Sequence, residues 1–282
     1  MPDKDPRQTD PQSEQIRKYA EDLATVYKSE KAKRDELTKV YAQMQEYAKS
    51  LAASVKEVKE ANKNLEHAYL DTIQRLVMAA EYKDEDTGDH ILRMSRYSAL
   101  IAEKMNLSDA MVKSILFAAP MHDIGKIGIA DSILLKPGKL TKEEFDTMKT
   151  HTTIGAHILA NSTAEVLNIS QQIAISHHEK WNGTGYPQGH AGEKIPMAGR
   201  IVCLADVFDA LTSKRPYKDP YPVEVALDII KKERGEQFEP RVVDIFLANI
   251  DGILAIKEEI GEAGDISLAD FIWSERDREE ST

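Results

Sequence analysis

Imidazole and carboxylate side chains recur in short polar segments between residues 86 and 206. They are Asp86, His90, His122, Asp123, His151, His177, His178 and Asp206. Neutral imidazoles and carboxylates suit divalent iron, manganese, zinc or nickel as ligands. A His-Asp pair alone is a weak signal, because the same pair can simply cap a helix. The whole set predicts that the chain binds metal.

The segment HHEKWNGTGYP, from His177 to Pro187, places two histidines directly before a loop of Gly, Asn and Pro. Adjacent residues on a helix point about 100° apart, so both reach one ion only at a helix end. We expect the loop to free the second histidine and to close over the site. Asp86 and His90 are four residues apart and would share a helix face, although Gly88 weakens that interpretation.

The composition limits the classes of partner. The chain of 282 residues has 48 acidic and 37 basic residues and a formal charge of −11. This charge argues against a nucleic-acid polymer as partner, but not against a small anion, since bound metal inverts the local charge. Cys203 is the single cysteine, which fits a structural role in a reducing cytoplasm. No apolar run approaches the roughly 20 residues of a membrane span, so we expect a cytoplasmic protein.

The N-terminal quarter predicts a long helix. Residues 1–14 are polar with three prolines and are expected to be disordered, whereas residues 15–75 contain no Gly or Pro. Seven of eight positions at heptad spacing are apolar, in the column Ile16, Leu23, Glu30, Leu37, Met44, Leu51, Val58 and Leu65. The pattern predicts a coiled coil, most simply a parallel homodimer. The alternative is an amphipathic helix that packs on the protein's own body.

The remaining chain predicts a helical bundle over residues 76–256 and a charged tail over 257–282. A capping box at Thr141 predicts a helix that runs through His151. The segment Met197 to Thr212 is amphipathic, and a helix from Pro222 should end at Gly235. No alternating run is long enough for a sheet, so the expected fold class is all-α.

Six motifs in this region resemble the HD-GYP domain, a subgroup of the HD phosphohydrolase superfamily. They are DTGDHILR (86–93), HDIGK (122–126), His151 in KTHTTIGAHIL, HHEKWNGTGYP (177–187), IPMAGRIVCLADVFDALTSKRPYK (195–218) and GEQFEP (235–240). Their order and spacing all match. The resemblance implies a helical-bundle HD-GYP domain behind the long N-terminal helix.

The resemblance also implies a role for each candidate ligand. The implied first metal site consists of His90, His122, Asp123 and Asp206. The implied second site consists of the bridging Asp123 with His151, His177 and His178. Asp86 stands where members with a third metal carry an acidic ligand, most often Glu, so a third ion stays open. Iron and manganese are the expected metals.

Further positions are implied to contact the substrate. Lys126, Arg215 and Lys218 resemble the groups that hold its phosphates, and Lys126 would add positive charge where the transition state gains negative charge. Gly185, Tyr186 and Pro187 form the signature loop beside the site. Tyr186 and Trp181 either stack on a guanine base or anchor the loop on the core. Asp209, one helical turn after Asp206, is a candidate for orienting a ligand, and Arg93 for pairing with an acidic neighbour.

The implied activity is metal-dependent hydrolysis of cyclic di-GMP to linear pGpG, which in the family often continues to GMP, in bacterial second-messenger signalling. Two metals and a bridging hydroxide would carry out the attack. One alternative is the same chemistry on another cyclic dinucleotide, such as cyclic GMP-AMP. Another is a non-catalytic nucleotide sensor or scaffold that acts through the coiled coil. We also expect the N-terminal helix to couple the domain to a signalling partner.

Overall fold

The computed structural model describes residues 11–81, 83, 88–214 and 219–262. Within these ranges the chain forms α-helices and short 3-10 turns, and no β-strand. The helices are α1 (Pro11–Glu81), α2 (Gly88–Lys104), α3 (Asp109–Ala118), α4 (Asp131–Leu134), α5 (Lys142–Met148), α6 (His151–Ile158), α7 (Glu165–Ser176), α8 (Met197–Thr212), α9 (Val223–Lys232), α10 (Pro240–Ala248) and α11 (Ile250–Glu262). The predicted all-α fold with a long N-terminal helix is confirmed.

The chain divides into two compact units, Met1–Glu66 and His67–Thr282. In the described part of the first unit, the chain is one continuous helix, and α1 ends in the second unit. The predicted boundaries at 14, 75 and 256 stay predictions, although α11 itself runs on to Glu262. No helix in the described ranges is both long enough and apolar enough to cross a membrane.

Helix α8 is the centre of the main core of the second unit. Ile201, Val202 and Leu204 are fully buried although they point in different directions around the helix. The helix is therefore enclosed by its neighbours, rather than amphipathic as the sequence predicted. The Phe208 ring packs edge-on against Phe246 of α10, with centroids 5.1 Å apart. Cys203 is also buried, and burial raises the pKa of its thiol to about 12, as expected for a structural cysteine.

A second apolar cluster joins the end of α1 to the segments that carry candidate ligands. Ile73 and Val77 of α1 pack in one cluster with Ile91, Met121, Leu159 and Ala174. Ile91 follows His90 directly, and Met121 precedes His122. Because packed interiors do not yield without cost, the end of α1 helps to fix these two histidines.

The expected helix from Thr141 through His151 is two helices. The capping box at its start is present, since the Thr141 hydroxyl accepts the Glu144 N–H and the Glu144 carboxylate accepts the Thr141 N–H. The helix stops at Met148, however, and α6 begins at His151. The Thr150 hydroxyl donates to the Thr147 carbonyl at 2.6 Å, a local bond that competes with the helical ladder. This break places His151 in the first turn of a new helix.

Candidate metal centre

Seven of the eight predicted ligands lie in two neighbouring groups, and Asp86 falls outside the described residues. The first group is His90, His122 and Asp206. The second group is Asp123, His151, His177 and His178. Within each group the ligand atoms all lie within 4.8 Å of one another. Helices α2, α6 and α8, the turn after α3 and the residues directly after α7 each supply part of the set, so tertiary packing brings it together.

Asp123 lies between the two groups. Its Oδ2 is 3.2 Å from His122 Nε2 of the first group. Its Oδ1 is 3.2 Å from His151 Nε2 and 3.4 Å from His177 Nε2 of the second group. Lys126 reaches the same carboxylate, with Nζ 2.8 Å from Oδ2. One buried carboxylate therefore faces both groups through different oxygens.

Backbone carbonyls fix the orientation of three imidazoles. Nδ1 lies at hydrogen-bond distance from a carbonyl three or four residues earlier in His122, His151 and His177, at 3.1, 2.8 and 3.1 Å. A carbonyl only accepts, so we assign the proton to Nδ1, which leaves the Nε2 lone pair directed into the centre. The Nε2 atoms of His151 and His177 are 3.5 Å apart. Two lone pairs that face each other repel unless a cation lies beside them, so this donor set fits a divalent ion.

The ionisation states also suit metal binding. Burial alone would raise the pKa of Asp123, but the Lys126 ammonium and His122 hold it well below its usual range. Burial lowers the pKa of His177 and of His178, and the adjacent imidazoles lower it further. An ionised carboxylate and neutral imidazoles are the forms that bind metal without first losing a proton.

Asp209 and Arg93 support His90 from behind. Asp209 is 1 % exposed, and its Oδ2 lies 2.8 Å from His90 Nδ1. Arg93 donates from Nε to Oδ1 at 2.6 Å and from Nη2 to Oδ2 at 3.0 Å. Burial alone would raise the pKa of Asp209, but the bonds from His90 and Arg93 lower it. The pair holds the His90 ring with Nε2 toward Asp206, whose Oδ1 is 3.8 Å away.

A buried carboxylate holds the loop that carries Gly185, Tyr186 and Pro187 beside the two ligand groups. Glu179 is 2 % exposed, and its two oxygens accept the backbone N–H groups of Gln188 at 2.7 Å and His190 at 3.0 Å. The Tyr186 N–H donates to the His178 carbonyl at 3.2 Å. A Cβ on Gly185 would overlap the Lys180 backbone nitrogen, so glycine is required at this close approach.

The GEQFEP segment supports the same loop from the other side. The N–H of Trp181 donates to the Gln237 carbonyl at 3.0 Å, and that of Asn182 to the Glu236 carbonyl at 2.9 Å. Arg200 lies over the Trp181 ring at 5.8 Å and donates to the Glu239 carboxylate at 2.7 Å. Trp181 is thus an anchor of the loop, one of the two roles considered from the sequence.

The other predicted substrate contacts fall in three classes. The Tyr186 ring lies beside the second group, with its centroid 4.8 Å from that of His178, while Pro187 next to it is exposed. Lys126 is at the centre, ion-paired to Asp123. Arg215 and Lys218 lie outside the described residues.

Comparison with known proteins identifies the family. The family model described as HD domain matches residues 73–242, which is more than half of the chain. The chain belongs to the HD domain family. This confirms the family recognised from the motifs, and the HD domain includes both ligand groups and the end of α1.

Several curated relatives share this HD domain. The chain is 46% identical over 205 residues to a cyclic di-GMP phosphodiesterase of Thermotoga maritima, covering 71% of this chain and 56% of the relative. It is also 46% identical over 197 residues to the cyclic di-GMP phosphodiesterase response regulator RpfG of Xanthomonas campestris, covering 70% and 50%. A 3′3′-cGAMP-specific phosphodiesterase 2 of Vibrio cholerae is 39% identical over 190 residues, covering 67% and 36%. The chain spans about half the length of the curated relatives it matches.

A solved structure shares the fold. The crystal structure of a cyclic GMP-AMP specific phosphodiesterase of Vibrio cholerae aligns with a TM-score of 0.52 at 21% identity. The alignment covers 70% of this chain and 51% of that one. At this identity the likeness supports the helical fold of the HD domain.

The sequence suggested separate roles for Asp209 and Arg93 without showing that they pair, and it gave no role to Glu179. The spacing of Asp209 from Asp206 suggested an orienting role, but its partner Arg93 lies 116 residues away in sequence. Glu179 has no partner that a residue pattern could reveal, because it accepts hydrogen bonds from backbone N–H groups. A charged residue directly after two candidate ligands and before a Gly-rich loop is the one cue that could have singled it out.

Proposed function

We propose that the HD domain is a metal-dependent phosphodiesterase that hydrolyses cyclic di-GMP to linear pGpG, with further hydrolysis to GMP as the open second step. The observation that carries the proposal is the position of Asp123, whose two oxygens face two separate ligand groups. A shared carboxylate between two sets of imidazoles is the arrangement that a two-metal phosphodiesterase needs. The printed activities of the relatives from Thermotoga maritima and Xanthomonas campestris support this substrate.

The proposed ligands are those expected from the resemblance. His90, His122, Asp123 and Asp206 would hold one divalent ion, and Asp123, His151, His177 and His178 a second. When bound, such ions supply a Lewis acid for phosphoryl oxygens and acidify water to provide the nucleophile. Iron or manganese is the proposed metal for these two sites. Asp86 stands where a third ion would bind, and a three-metal centre is the alternative to the two-metal one.

The chain's own residues orient these groups and the substrate. The carbonyls behind His122, His151 and His177 hold the three rings before any ligand binds, so these rings need no reorientation on binding. Lys126, 15 % exposed beside Asp123, provides a fixed positive charge for a phosphate oxygen. Arg215 and Lys218 are proposed as further phosphate contacts, and Gly185, Tyr186 and Pro187 as the loop that lines the site.

Product analysis tests the activity. The full chain, loaded with manganese or ferrous iron, is incubated with cyclic di-GMP, and products are separated by chromatography. We expect metal-dependent formation of pGpG, abolished in His122→Ala and Asp123→Ala. Asp244→Ala, which removes an exposed carboxylate paired with Arg234, is the matched control and should retain the activity. Bound metal without any turnover would instead support a nucleotide sensor or scaffold.

Cyclic GMP-AMP is the second candidate substrate. The observation that favours it is the 39% identity to a relative named 3′3′-cGAMP-specific phosphodiesterase 2. Both substrates present the same phosphodiester to Asp123 and Lys126, so the choice depends on contacts with the bases. Parallel reactions at equal concentration decide between them, and faster loss of cyclic GMP-AMP would replace the substrate while keeping the chemistry.

We further propose that α1 forms a parallel coiled-coil homodimer that transmits a signal from a partner to the HD domain. The support is the exposure of the heptad column, with Leu23 at 70%, Met44 at 60% and Leu51 at 66%. Such a column is unfavourable in water and would be buried against the same column of a second copy. In this proposal residues 1–14 precede the coil, 15–75 form it, 76–256 are the catalytic domain and 257–282 the tail.

Light scattering with multi-angle detection tests the dimer. Wild-type protein should show the mass of two chains, and a Met44→Asp/Leu51→Asp variant the mass of one. The control is Lys49→Asp/Lys56→Asp, at two positions of the same helix that lie outside the heptad column. A dimer that persists in the first variant would contradict the coiled coil as the interface.

A further inference from the structure

Two aromatic rings form a corner beside the second ligand group. Phe145 of α5 has a ring centroid 6.2 Å from that of Tyr186, and the ring planes are 80° apart. Phe145 is 47% exposed, a large fraction for an apolar side chain on an ordered helix. The Tyr186 ring continues to His178, with centroids 4.8 Å apart. A half-exposed phenylalanine ring therefore stands two ring contacts away from the proposed metal ligands.

A lysine adds positive charge to the same corner. Lys149 follows Phe145 by four residues, and its Nζ lies 5.4 Å from the Phe145 centroid and 5.9 Å from the Tyr186 centroid. The ammonium pairs with Asp146 at 2.6 Å and its side chain is 31% exposed. The pair leaves the remaining ammonium hydrogens able to donate, since an ammonium carries three.

The chemistry of this corner matches a purine with acceptor atoms on its edge. Aromatic side chains bind bases by stacking, which works for any base because each has a π face. Lysine donates to guanine O6 and N7, whereas adenine presents an amino group where guanine has O6. A single exposed phenylalanine would mean little. Here one helix face aligns a stacking ring and a donor, next to the ligands that would hold the phosphate.

We propose that Phe145, Lys149 and Tyr186 form a guanine subsite, in which Phe145 stacks on the base and Lys149 donates to its O6/N7 edge. This inference rests on the proposed function, because it assigns the base of the same cyclic dinucleotide. It makes α5 a specificity element of the HD domain. A substrate with guanine would gain the Lys149 contact, and one with only adenine would place an amino group against the ammonium.

Steady-state kinetics of the full chain test the subsite with cyclic di-GMP, cyclic GMP-AMP and cyclic di-AMP. Phe145→Ala should raise KM for cyclic di-GMP by about 5- to 150-fold, with a smaller change in kcat. Phe145→Trp should restore KM, because it keeps a stacking ring. Lys149→Met should lower the preference for cyclic di-GMP over cyclic di-AMP by about tenfold. Metal content, measured by mass spectrometry, should stay at the wild-type level in all three variants.

Matched controls separate the subsite from general effects. Lys231 pairs with Asp228 three residues earlier, as Lys149 does with Asp146, so Lys231→Met removes an equivalent surface pair. Val225, 42% exposed on α9, provides the apolar control Val225→Ala. Both control variants should leave the substrate preference unchanged.

The outcomes distinguish the subsite from the proposed function. Wild-type turnover with unchanged KM in Phe145→Ala, or an unchanged base preference in Lys149→Met, would overturn the subsite alone. Equal losses on all three substrates together with lost metal would also overturn it, since they indicate a structural role. Absence of turnover of every cyclic dinucleotide by the wild-type chain would overturn the proposed function itself.

Discussion

Asp209→Asn tests whether the residue behind His90 controls a metal ligand. The carboxylate offers one oxygen to Arg93 Nε and the other to both Arg93 Nη2 and His90 Nδ1. An amide of the same shape has only one oxygen. If its NH₂ takes the place of Oδ2, it opposes Arg93 Nη2, and the His90 ring must move its proton to Nε2, which points at the metal site. If its NH₂ takes the place of Oδ1, it opposes Arg93 Nε in a buried space.

The structure sets the size of both effects. Arg93 and Asp209 side chains are 10% and 1% exposed, so the substitution leaves a buried guanidinium without its counter-charge. Removing one partner of a buried ion pair costs about 3–5 kcal/mol, and we expect about 3 kcal/mol because the amide keeps one bond. Loss of a group that orients a metal ligand weakens metal affinity by about 10- to 100-fold.

Two assays measure these effects separately. Urea unfolding of chelator-treated protein gives the stability change, and calorimetric titration with manganese gives the affinity. Asp244→Asn is the matched control, because Arg234 holds Asp244 through Nε and Nη2 at 2.8 Å each but on the surface, where Asp244 is 57% exposed. That control should leave both quantities at the wild-type values. Equal manganese affinity in Asp209→Asn and wild type would refute the orienting role.

Three further substitutions test the parts that position the centre. Gly125→Ala should lower the bound metal measured by mass spectrometry, because its Cβ would lie against a backbone carbonyl of α6. The control Gly261→Ala has open space around the added Cβ and should retain full metal content. Glu179→Gln should lower the free energy of unfolding in urea by about 1–3 kcal/mol, because one of the two backbone N–H groups that donate to Glu179 loses a charged acceptor. An unchanged free energy of unfolding would contradict the role of Glu179 in holding the loop. Ile73→Ala should cost about 2–5 kcal/mol in the same assay, and exposed Leu76→Ala less than about 0.5 kcal/mol; equal effects would exclude a packing role for the end of α1.

The sequence predicted the fold class and the regular helices well, because hydrophobic periodicity and caps are local. The segment Met197–Thr212 is α8 with those same ends, and the helix from Pro222 appears as Val223–Lys232. Gly235 follows with φ of +85°, a conformation that glycine adopts readily. The break before His151 was not predicted, because the Thr150 hydroxyl bond to the Thr147 carbonyl beside it has no distinctive sequence pattern.

The metal ligands could be predicted by residue type and motif, but the residues that hold them in position could not. Asp123 belongs to a recognisable motif, whereas the pairing of Arg93 with Asp209 depends on how α2 packs on α8. Glu179 is similar, since a buried carboxylate that accepts two N–H groups looks, in sequence, like any charged loop residue. Tertiary partners of this kind carry no local pattern.

Anomalous diffraction at the manganese edge, from crystals of the metal-loaded full chain, tests whether two metal ions share Asp123. Two anomalous peaks are expected for each chain within the two ligand groups. One peak should lie among His90, His122 and Asp206, and the other among His151, His177 and His178, with an Asp123 oxygen bound at each. A single peak, or two peaks of which only one contacts Asp123, would contradict the shared carboxylate on which the proposed reaction depends.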